Sequence, residues 1–318
     1  MIRLLALVPL AFLAACSPYV YDGEIGKFSA GVDLVTDAYK GGVDDIRATR
    51  TALRTNDQVQ NKARLGLSPS CRAIEEKNEC QILDLRPDKP KEQDDAEHAL
   101  NKAEPVFAAL HRYAEALAAI TKADDDKALT QAGQELADSV SGLAGAAGGG
   151  DAAAAAIAAD TGLLANLTEI YLDSRRLATL KKTVLATDPK IETLSKIVGI
   201  TLRTIQSERL RQLDIQLSAA ITPLRDEKKL ASLSPDDYRA DLTATQALVD
   251  EVNRIKASDP IATGNALAAS HHALAEALSA EKGQSMAVFQ ATTGFLQAAG
   301  KVKAAIHPDA ANGQKGSS

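Results

Sequence analysis

Long apolar stripes with helical spacing are the feature that most limits the fold of this 318-residue chain. In the first stripe, apolar side chains recur every three or four positions from Ile25 to Leu53, with charged residues and glycines between them. This spacing is typical of an amphipathic α-helix that packs against other helices. Similar stripes run over Leu100–Leu117, Leu163–Val184, Ile191–Leu224 and Leu267–Leu296.

Composition favours helices along the whole chain. Aromatic residues make up 3% of it and tryptophan is absent, while alanine and leucine dominate. Strands favour β-branched and aromatic residues, whereas Ala, Leu, Gln, Glu, Lys and Arg favour helices. We therefore predict an all-α fold, namely an elongated antiparallel bundle of about six helices, several of them long.

Caps and prolines predict where the helices begin and end. Asp and Ser cap helix N-termini and Pro suits the first turn, which predicts helix starts at Asp124-Asp125-Asp126, Asp188-Pro189, Ser234-Pro235 and Asp259-Pro260. The first helix is expected to fade near Leu67, the helix after Asp124-Asp125-Asp126 to end at Ser141-Gly142, and the last helix to continue to about Ala305. Pro105 is expected to kink or restart the second helix.

The amino terminus has a role separate from the fold. Arg3 precedes an apolar run from Leu4 to Leu13, the layout of a secretory signal peptide. The sequence Leu13-Ala14-Ala15-Cys16 then resembles a lipobox, the processing site of bacterial lipoproteins. The resemblance implies that residues 1–15 are removed and that Cys16 carries diacylglycerol and an N-acyl chain. The alternative is an ordinary signal peptide cut near Ala15, with Cys16 incidental.

The same resemblance implies an address in the cell envelope. Ser17 replaces the Asp that commonly retains lipoproteins at the inner membrane, so we expect an outer-membrane anchor facing the periplasm. Residues 16–21 would be a lipidated tether with a reach of roughly 20 Å. We expect residues 22–306 to form a single bundle domain and residues 307–318 a disordered tail.

Two cysteines remain if Cys16 is acylated. Cys71 and Cys80 form an even pair in an oxidising compartment, which predicts a disulfide that clamps the proline-containing segment 68–91. A metal site would need four ligands, and no histidine or third cysteine lies nearby. Their spacing also differs from the Cys-x-x-Cys of redox proteins. The pair is therefore interpreted as structural.

Net charge limits the partners of this chain. A formal charge of −6 makes nucleic acid an improbable ligand, because a phosphate backbone requires a basic patch. The chain also lacks a polybasic segment for anionic lipid. We therefore expect membrane lipid to be bound through the acyl chains of Cys16, together with a protein partner in the envelope.

Residues that could carry catalysis are sparse. The histidines are His98, His111, His271, His272 and His307. Because His271 and His272 are adjacent on a helix, they point about 100° apart and are poorly placed to share a metal. His272 and Glu276 have the i, i+4 spacing that permits a metal pair or a weakly supported hydrolase site. Without a recognised motif, we predict no enzyme activity, no catalytic residue, no metal and no cofactor.

Residues 139–168 stand out because Ala, Gly and Leu dominate them and Asp151 and Asp160 are their only charged residues. They could form the tight turn of a helical hairpin, whose small residues permit close packing, and this interpretation is favoured. A membrane-inserting tip is a second interpretation, although no run approaches the roughly 20 apolar residues of a membrane span. A flexible glycine-rich linker is the third.

These observations lead to a function hypothesis with alternatives. The favoured one is a membrane-anchored periplasmic scaffold that acts through protein contacts rather than catalysis. The second is a bundle that perturbs membranes or binds an apolar ligand through residues 139–168. The third and weakest is a hydrolase that uses His272 and Glu276.

Overall fold

The chain folds as a bundle of α-helices, which confirms the predicted all-α class. The structure, a computed structural model, describes residues 21–60, 65–67, 82–84, 93–146, 169–280 and 285–307. Within these residues the helices are α1 (Asp22–Gln60), α2 (Gln93–Lys122), α3 (Asp126–Ala146), α4 (Glu169–Arg225), α5 (Glu227–Ser232), α6 (Pro235–Lys256), α7 (Pro260–Ser279) and α8 (Ser285–Ile306). Cys16, Cys71 and Cys80 lie outside the described residues, so the anchor and the disulfide stay predictions.

A short strand pair follows the first helix. β1 (Leu65–Leu67) and β2 (Ile82–Asp84) are antiparallel, with Leu67 opposite Ile82. The prediction that the first helix fades near Leu67 was therefore several residues too long, since α1 ends at Gln60. A periodicity argument locates a helix end only approximately, because the apolar spacing continues into the residues beyond it.

Three of the four predicted helix starts are confirmed by their capping bonds. The Ser234 hydroxyl oxygen accepts the Asp237 N–H at 3.1 Å, and the Asp259 carboxylate accepts the Ala262 N–H at 3.0 Å. The Asp125 carboxylate likewise accepts the Ala128 N–H at 2.6 Å, ahead of α3. These bonds satisfy amide groups that a helix N-terminus leaves without a partner.

The fourth predicted start, Asp188-Pro189, was wrong. α4 is 57 residues long and continues through Pro189, and α2 likewise continues through Pro105. Both prolines lie on exposed faces of their helices. Proline has no N–H, so one helical carbonyl lacks its hydrogen-bond partner. The loss is least costly on an exposed face, because water can bind that carbonyl. Asp188 is thus a residue inside a helix, and its carboxylate is free to bind elsewhere.

Two further boundaries differ from the predictions. The helix expected to run from Asp259 to about Ala305 is two helices, α7 and α8, which pack against each other. The overlooked signal is Gly283 in the segment between them, because glycine is a common helix terminator. α3 continues to Ala146, past the predicted end at Ser141-Gly142, and residues 147–168 are outside the described residues.

The predicted apolar stripes meet in one core. It includes the fully buried aromatic side chains of Phe28, Phe107, Tyr113 and Phe295. Phe28 contacts Phe295 with ring centroids 5.9 Å apart, and Tyr39 stacks on Phe107 at 4.1 Å. The stripe of α2 is buried from Leu100 to Leu117 as predicted. The stripe of α4, in contrast, leaves the core after Leu213.

Neighbouring helices are antiparallel in some pairs and parallel in others. α4 and α7 are antiparallel, because Asp188 faces His271 while Gln206 faces Ser258. α1 and α8 run in the same direction, since Lys303 contacts Asp37 and His307 contacts Asp45 at 3.2 Å. An antiparallel arrangement therefore describes only part of the bundle.

The contact between α4 and α7 is close enough to test by substitution. A Cβ added at Gly264 would collide with the backbone carbonyl oxygen of Ser195 and lie 3.1 Å from the Gly199 Cα. Because backbone cannot move aside as a flexible side chain can, we expect Gly264→Ala to lower the free energy of unfolding by about 1–3 kcal/mol. Gly294 in α8 has no atom within 4 Å of an added Cβ. Gly294→Ala should instead raise it by about 0.5–1 kcal/mol. Urea unfolding of both variants measures the difference, and equal effects would contradict the close contact.

Candidate functional site

Two adjacent histidines of α7 bind one carboxylate of α4. The Nδ1 atoms of His271 and His272 lie 2.8 Å from Oδ1 and Oδ2 of Asp188, respectively. The two imidazoles differ in exposure, 0% for His271 and 62% for His272, and a carboxylate offers two acceptor atoms that can bond to both. Asp188 is thus the centre of this site, although sequence reasoning assigned it to a helix cap.

The inner half of the site is a buried hydrogen-bond network. His271 is 0% exposed, and its Nε2 lies 2.8 Å from the hydroxyl of Tyr113, which is also fully buried. The Tyr113 hydroxyl in turn lies 2.7 Å from that of Thr187. A neutral His271 satisfies these contacts by donating from Nδ1 to Asp188 and accepting at Nε2 from Tyr113. The network therefore joins α2, α4 and α7.

Burial and hydrogen bonding set the charges of the three central groups. Burial lowers the pKa of His271, although the hydrogen bond to Asp188 opposes this effect, and burial raises the pKa of Tyr113. For Asp188 burial alone would raise the pKa, but the hydrogen bonds from His271 and His272 outweigh it and lower the pKa. The inner histidine is therefore neutral beside an ionised carboxylate.

The outer half of the site is open to solvent. The His272 side chain is 62% exposed, and its Nε2 lies 3.5 Å from Oε1 of Glu276. The hydrogen bond to Asp188 raises the pKa of His272. A shallow groove of about 310 Å³ opens here, lined by Asp188, Glu192, Ala268, Ala269 and His272. It presents one imidazole and two carboxylates to water.

The site has the order of groups found in nucleophilic enzymes, but not their access. A hydroxyl, an imidazole and a carboxylate are aligned through Tyr113, His271 and Asp188, as a nucleophile, a base and an orienting group would be. Tyr113 is buried and its raised pKa keeps the hydroxyl protonated. A substrate could not contact this oxygen. The alignment therefore favours a structural role for the inner network.

The structure separates the other histidines from this site. His111 lies 3.3 Å from Asp33 and 3.2 Å from Glu115 on the surface between α1 and α2, and His307 contacts Asp45. The side chain of His98 is outside the described residues. Among the parts of the chain that the structure describes, no three His, Cys, Asp or Glu residues are grouped to hold a metal ion.

Sequence reasoning missed Tyr113, Thr187 and Asp188 as partners of the histidines. Tyr113 lies 74 residues from Thr187 along the chain, and His271 is 158 residues from Tyr113, so no local pattern joins them. The one available signal was the acidic residue before Pro189, and it also fits a helix cap.

Two further findings concern the chain rather than the site. No helix within the described ranges is both long and apolar enough to cross a membrane. Comparison of the chain with protein-family models, curated proteins and solved structures finds no match.

Adjacent histidines with opposite burial provide a matched test of the network. We expect His271→Ala to lower the free energy of unfolding by about 2–4 kcal/mol, because it opens a cavity and removes buried hydrogen bonds to Tyr113 and Asp188. His272→Ala should change it by less than about 0.5–1 kcal/mol, since His272 is exposed. Urea unfolding of the two variants at neutral pH compares them. Similar losses would contradict the assignment of an inner and an outer half.

His271 and His272 should contribute to the free energy of unfolding in opposite pH ranges. A lowered pKa means that His271 stabilises the fold above about pH 6.5 and that this contribution is lost as the pH falls below it. A raised pKa means that the contribution of His272 is present below about pH 6.5 and is lost as the pH rises through its folded-state pKa. His272→Ala should therefore make stability decline slightly more steeply on acidification from about pH 7 to 5, by less than about 0.5 kcal/mol per pH unit, because solvent screens an exposed pair. Unfolding curves across this range check the slope, and a shallower slope than that of the wild type would refute the opposition.

Proposed function

We propose that this protein is a membrane-anchored helical lipoprotein of the bacterial cell envelope that serves as a non-catalytic scaffold. The observation that carries the proposal is the sequence Leu13-Ala14-Ala15-Cys16 behind a short apolar run. Its resemblance to a lipobox implies an acylated Cys16, and Ser17 favours the outer membrane. Two or three acyl chains would anchor the chain stably, because stable anchoring requires two membrane signals.

One end of the bundle would lie near the bilayer. α1 begins at Asp22, a few residues after Cys16, and this end is fixed to its neighbours by side-chain hydrogen bonds. The Tyr21 hydroxyl donates to the Ala277 carbonyl at 3.3 Å, and the Thr121 hydroxyl donates to Asp22 at 2.8 Å. A short tether to such a fixed end would leave the folded domain little freedom to move away from the membrane.

The opposite end reaches farthest from that anchor. α1 and α4 run in the same direction, because Phe28 packs against His271, the partner of Asp188, while a Cβ added at Gly42 would meet Ile205 of α4. Farther along, the Gln212 side chain donates to the Ile46 carbonyl at 3.3 Å. Counted at about 1.5 Å per residue, α1 rises about 36 Å from Asp22 to Ile46, and α4 about 20 Å from Gln212 to Arg225. We therefore infer an elongated molecule whose tip lies about 55 Å from the anchored end.

This distal end supports a role in protein contacts. We use the name arm for residues 214–244, which comprise the end of α4, all of α5 and the first part of α6. None of these residues is buried, and five large apolar side chains of the arm are exposed: Ile215, Ile221, Leu230, Tyr238 and Leu242. A stretch of 31 residues that buries no side chain and exposes five large apolar ones is suited to contact with a partner.

The alternative functions have less support. In the described part of segment 139–168, Val140 and Leu143 are fully buried, and Gly142 lies against Ala109 in α2. Close packing there agrees with a tight hairpin rather than with a membrane-inserting tip, but residues 147–168 are outside the described residues. Membrane perturbation therefore stays a hypothesis for that segment, and so does hydrolysis by His272 and Glu276 at the open groove.

A single in-cell experiment tests the anchor and the contact role together. A photoreactive amino acid is placed at Leu242 in the arm, the envelope is fractionated after irradiation, and the mature N-terminus is examined by mass spectrometry. We expect acylated Cys16, recovery in the outer-membrane fraction, and discrete crosslinked products. Ser17→Asp should move the protein to the inner membrane.

Matched controls separate the outcomes of this experiment. The same photoreactive group at Ile200, which is 61% exposed on α4 outside the arm, should give far fewer products. Cys71→Ser should leave the acylation unchanged. A mature N-terminus without lipid would reject the anchor, and an arm that crosslinks no more than position 200 would reject the scaffold role.

A further inference from the structure

The arm is a helical hairpin without a core of its own. Between Asp214 and Ala244 every residue is at least partly exposed, while α4 immediately before it is buried at Gln212 and Leu213. Helices in water are stabilised mainly by packing of an apolar face, so a pair of helices with five exposed large apolar residues is incompletely packed. This combination points to a partner that covers the arm.

The base of the arm is held firmly, so the arm projects in a defined direction. Arg209 of α4 pairs with Glu251 of α6 at 2.9 Å. The Gln206 amide donates to the carbonyls of Ile255 at 2.7 Å and Ser258 at 3.0 Å, at the C-terminal end of α6. A fixed base reduces the ordering cost of binding, because the two helices are already aligned before a partner arrives.

The tip of the arm carries exposed charges of both signs. Lys228 and Lys229 lie on α5, and Asp236 and Asp237 lie in the first turn of α6, all of them exposed. Asp236 pairs with Arg239 at 2.7 Å, but no ion pair joins Lys228, Lys229 or Asp237 to another residue that the structure describes. A surface that carries both signs side by side can match a copy of itself across a two-fold axis.

Exposed apolar side chains occur along both long helices of the arm. Ile221 on α4 and Tyr238 and Leu242 on α6 are exposed, and a shallow groove of about 460 Å³ continues along α6 from Leu242 to Asp250. Apolar residues at the centre with charged residues around them are the usual anatomy of a protein interface.

We propose that the arm pairs side by side with the arm of a second copy of this chain, about a two-fold axis that runs along the arm. The lysines of α5 in each copy then meet the aspartates at the start of α6 in the other, because both pairs lie within about five residues of the turn between the two helices. Ile221, Tyr238 and Leu242 of both copies become buried in a four-helix arrangement. An axis in this direction also keeps both Cys16 anchors on one membrane, and in this respect the inference rests on the proposed function.

Sedimentation equilibrium of the mature protein in density-matched detergent tests this pairing. We expect a reversible monomer–dimer equilibrium that weakens as salt is raised, because exposed ion pairs are screened. Leu242→Ser should raise the dimer dissociation constant at least about tenfold, as loss of a central apolar side chain does at interfaces. Ile200→Ser, an equally drastic change of an exposed apolar residue outside the arm, should leave it unchanged.

A charge-reversal pair distinguishes a second copy from any other partner. Lys228→Glu with Lys229→Glu, and separately Asp236→Lys with Asp237→Lys, should each weaken the homodimer by placing like charges opposite one another. Mixed in equal amounts, the two variants should form a heterodimer with restored affinity. Circular dichroism verifies that each variant keeps its helix content.

The outcomes that overturn the proposal are distinct from those that overturn the anchor. A wild-type protein that stays monomeric at all concentrations, a dimer that Leu242→Ser leaves intact, or two folded charge variants that do not associate would each reject the pairing. Because these measurements use purified protein, they succeed or fail independently of acylation and of the membrane fraction found in cells.

Discussion

The close contact between α4 and α7 determines where the other parts of the bundle lie. At Gly264 the helix backbones approach so closely that a Cβ would collide with the Ser195 carbonyl oxygen. From this contact, Asp188 lies two helical turns before Ser195 and His271 two turns after Gly264, so the antiparallel register brings the carboxylate to the imidazole. In the other direction the same register places Gln206 at the carbonyls of Ile255 and Ser258. One contact between small residues therefore positions both the site and the base of the arm.

The Asp188 site is divided by solvent access. His271 and Tyr113 are buried among α2, α4 and α7, where an unpaired polar group would be costly and each hydrogen bond selects one arrangement of the helices. His272 binds the same carboxylate from the water side and differs from His271 in the direction of its pKa shift. Two residues adjacent in sequence thus have opposite pKa shifts, because one lies on the buried side of α7 and the other on its exposed side.

The arm contrasts with the rest of the bundle in how it is stabilised. One core joins α1, α2, α3, α4, α7 and α8, whereas no residue of α5 or α6 belongs to it. Beyond Leu213, no residue of α4 is buried, and its apolar residues Ile215 and Ile221 are exposed. A chain that packs such a core and yet leaves Ile221 and Leu242 exposed is suited to act through contact with a partner. This contrast is why we infer a scaffold role and a partner for the arm.

Local chemistry in the sequence determined the helical class, the stripes and the capped starts at Asp125, Ser234 and Asp259, because each depends on neighbours within one or two turns. It also provides the Leu13–Cys16 motif, which lies outside the described residues. Tertiary packing decided the rest. α4 continues through Pro189 because the proline lies on an exposed face. Asp188, which was expected to cap a helix, is therefore inside α4 and at the centre of the site. Tertiary packing also decided which stripe residues stay in water, because burial at Leu213 but not at Ile221 depends on the neighbouring helices rather than on the residue itself.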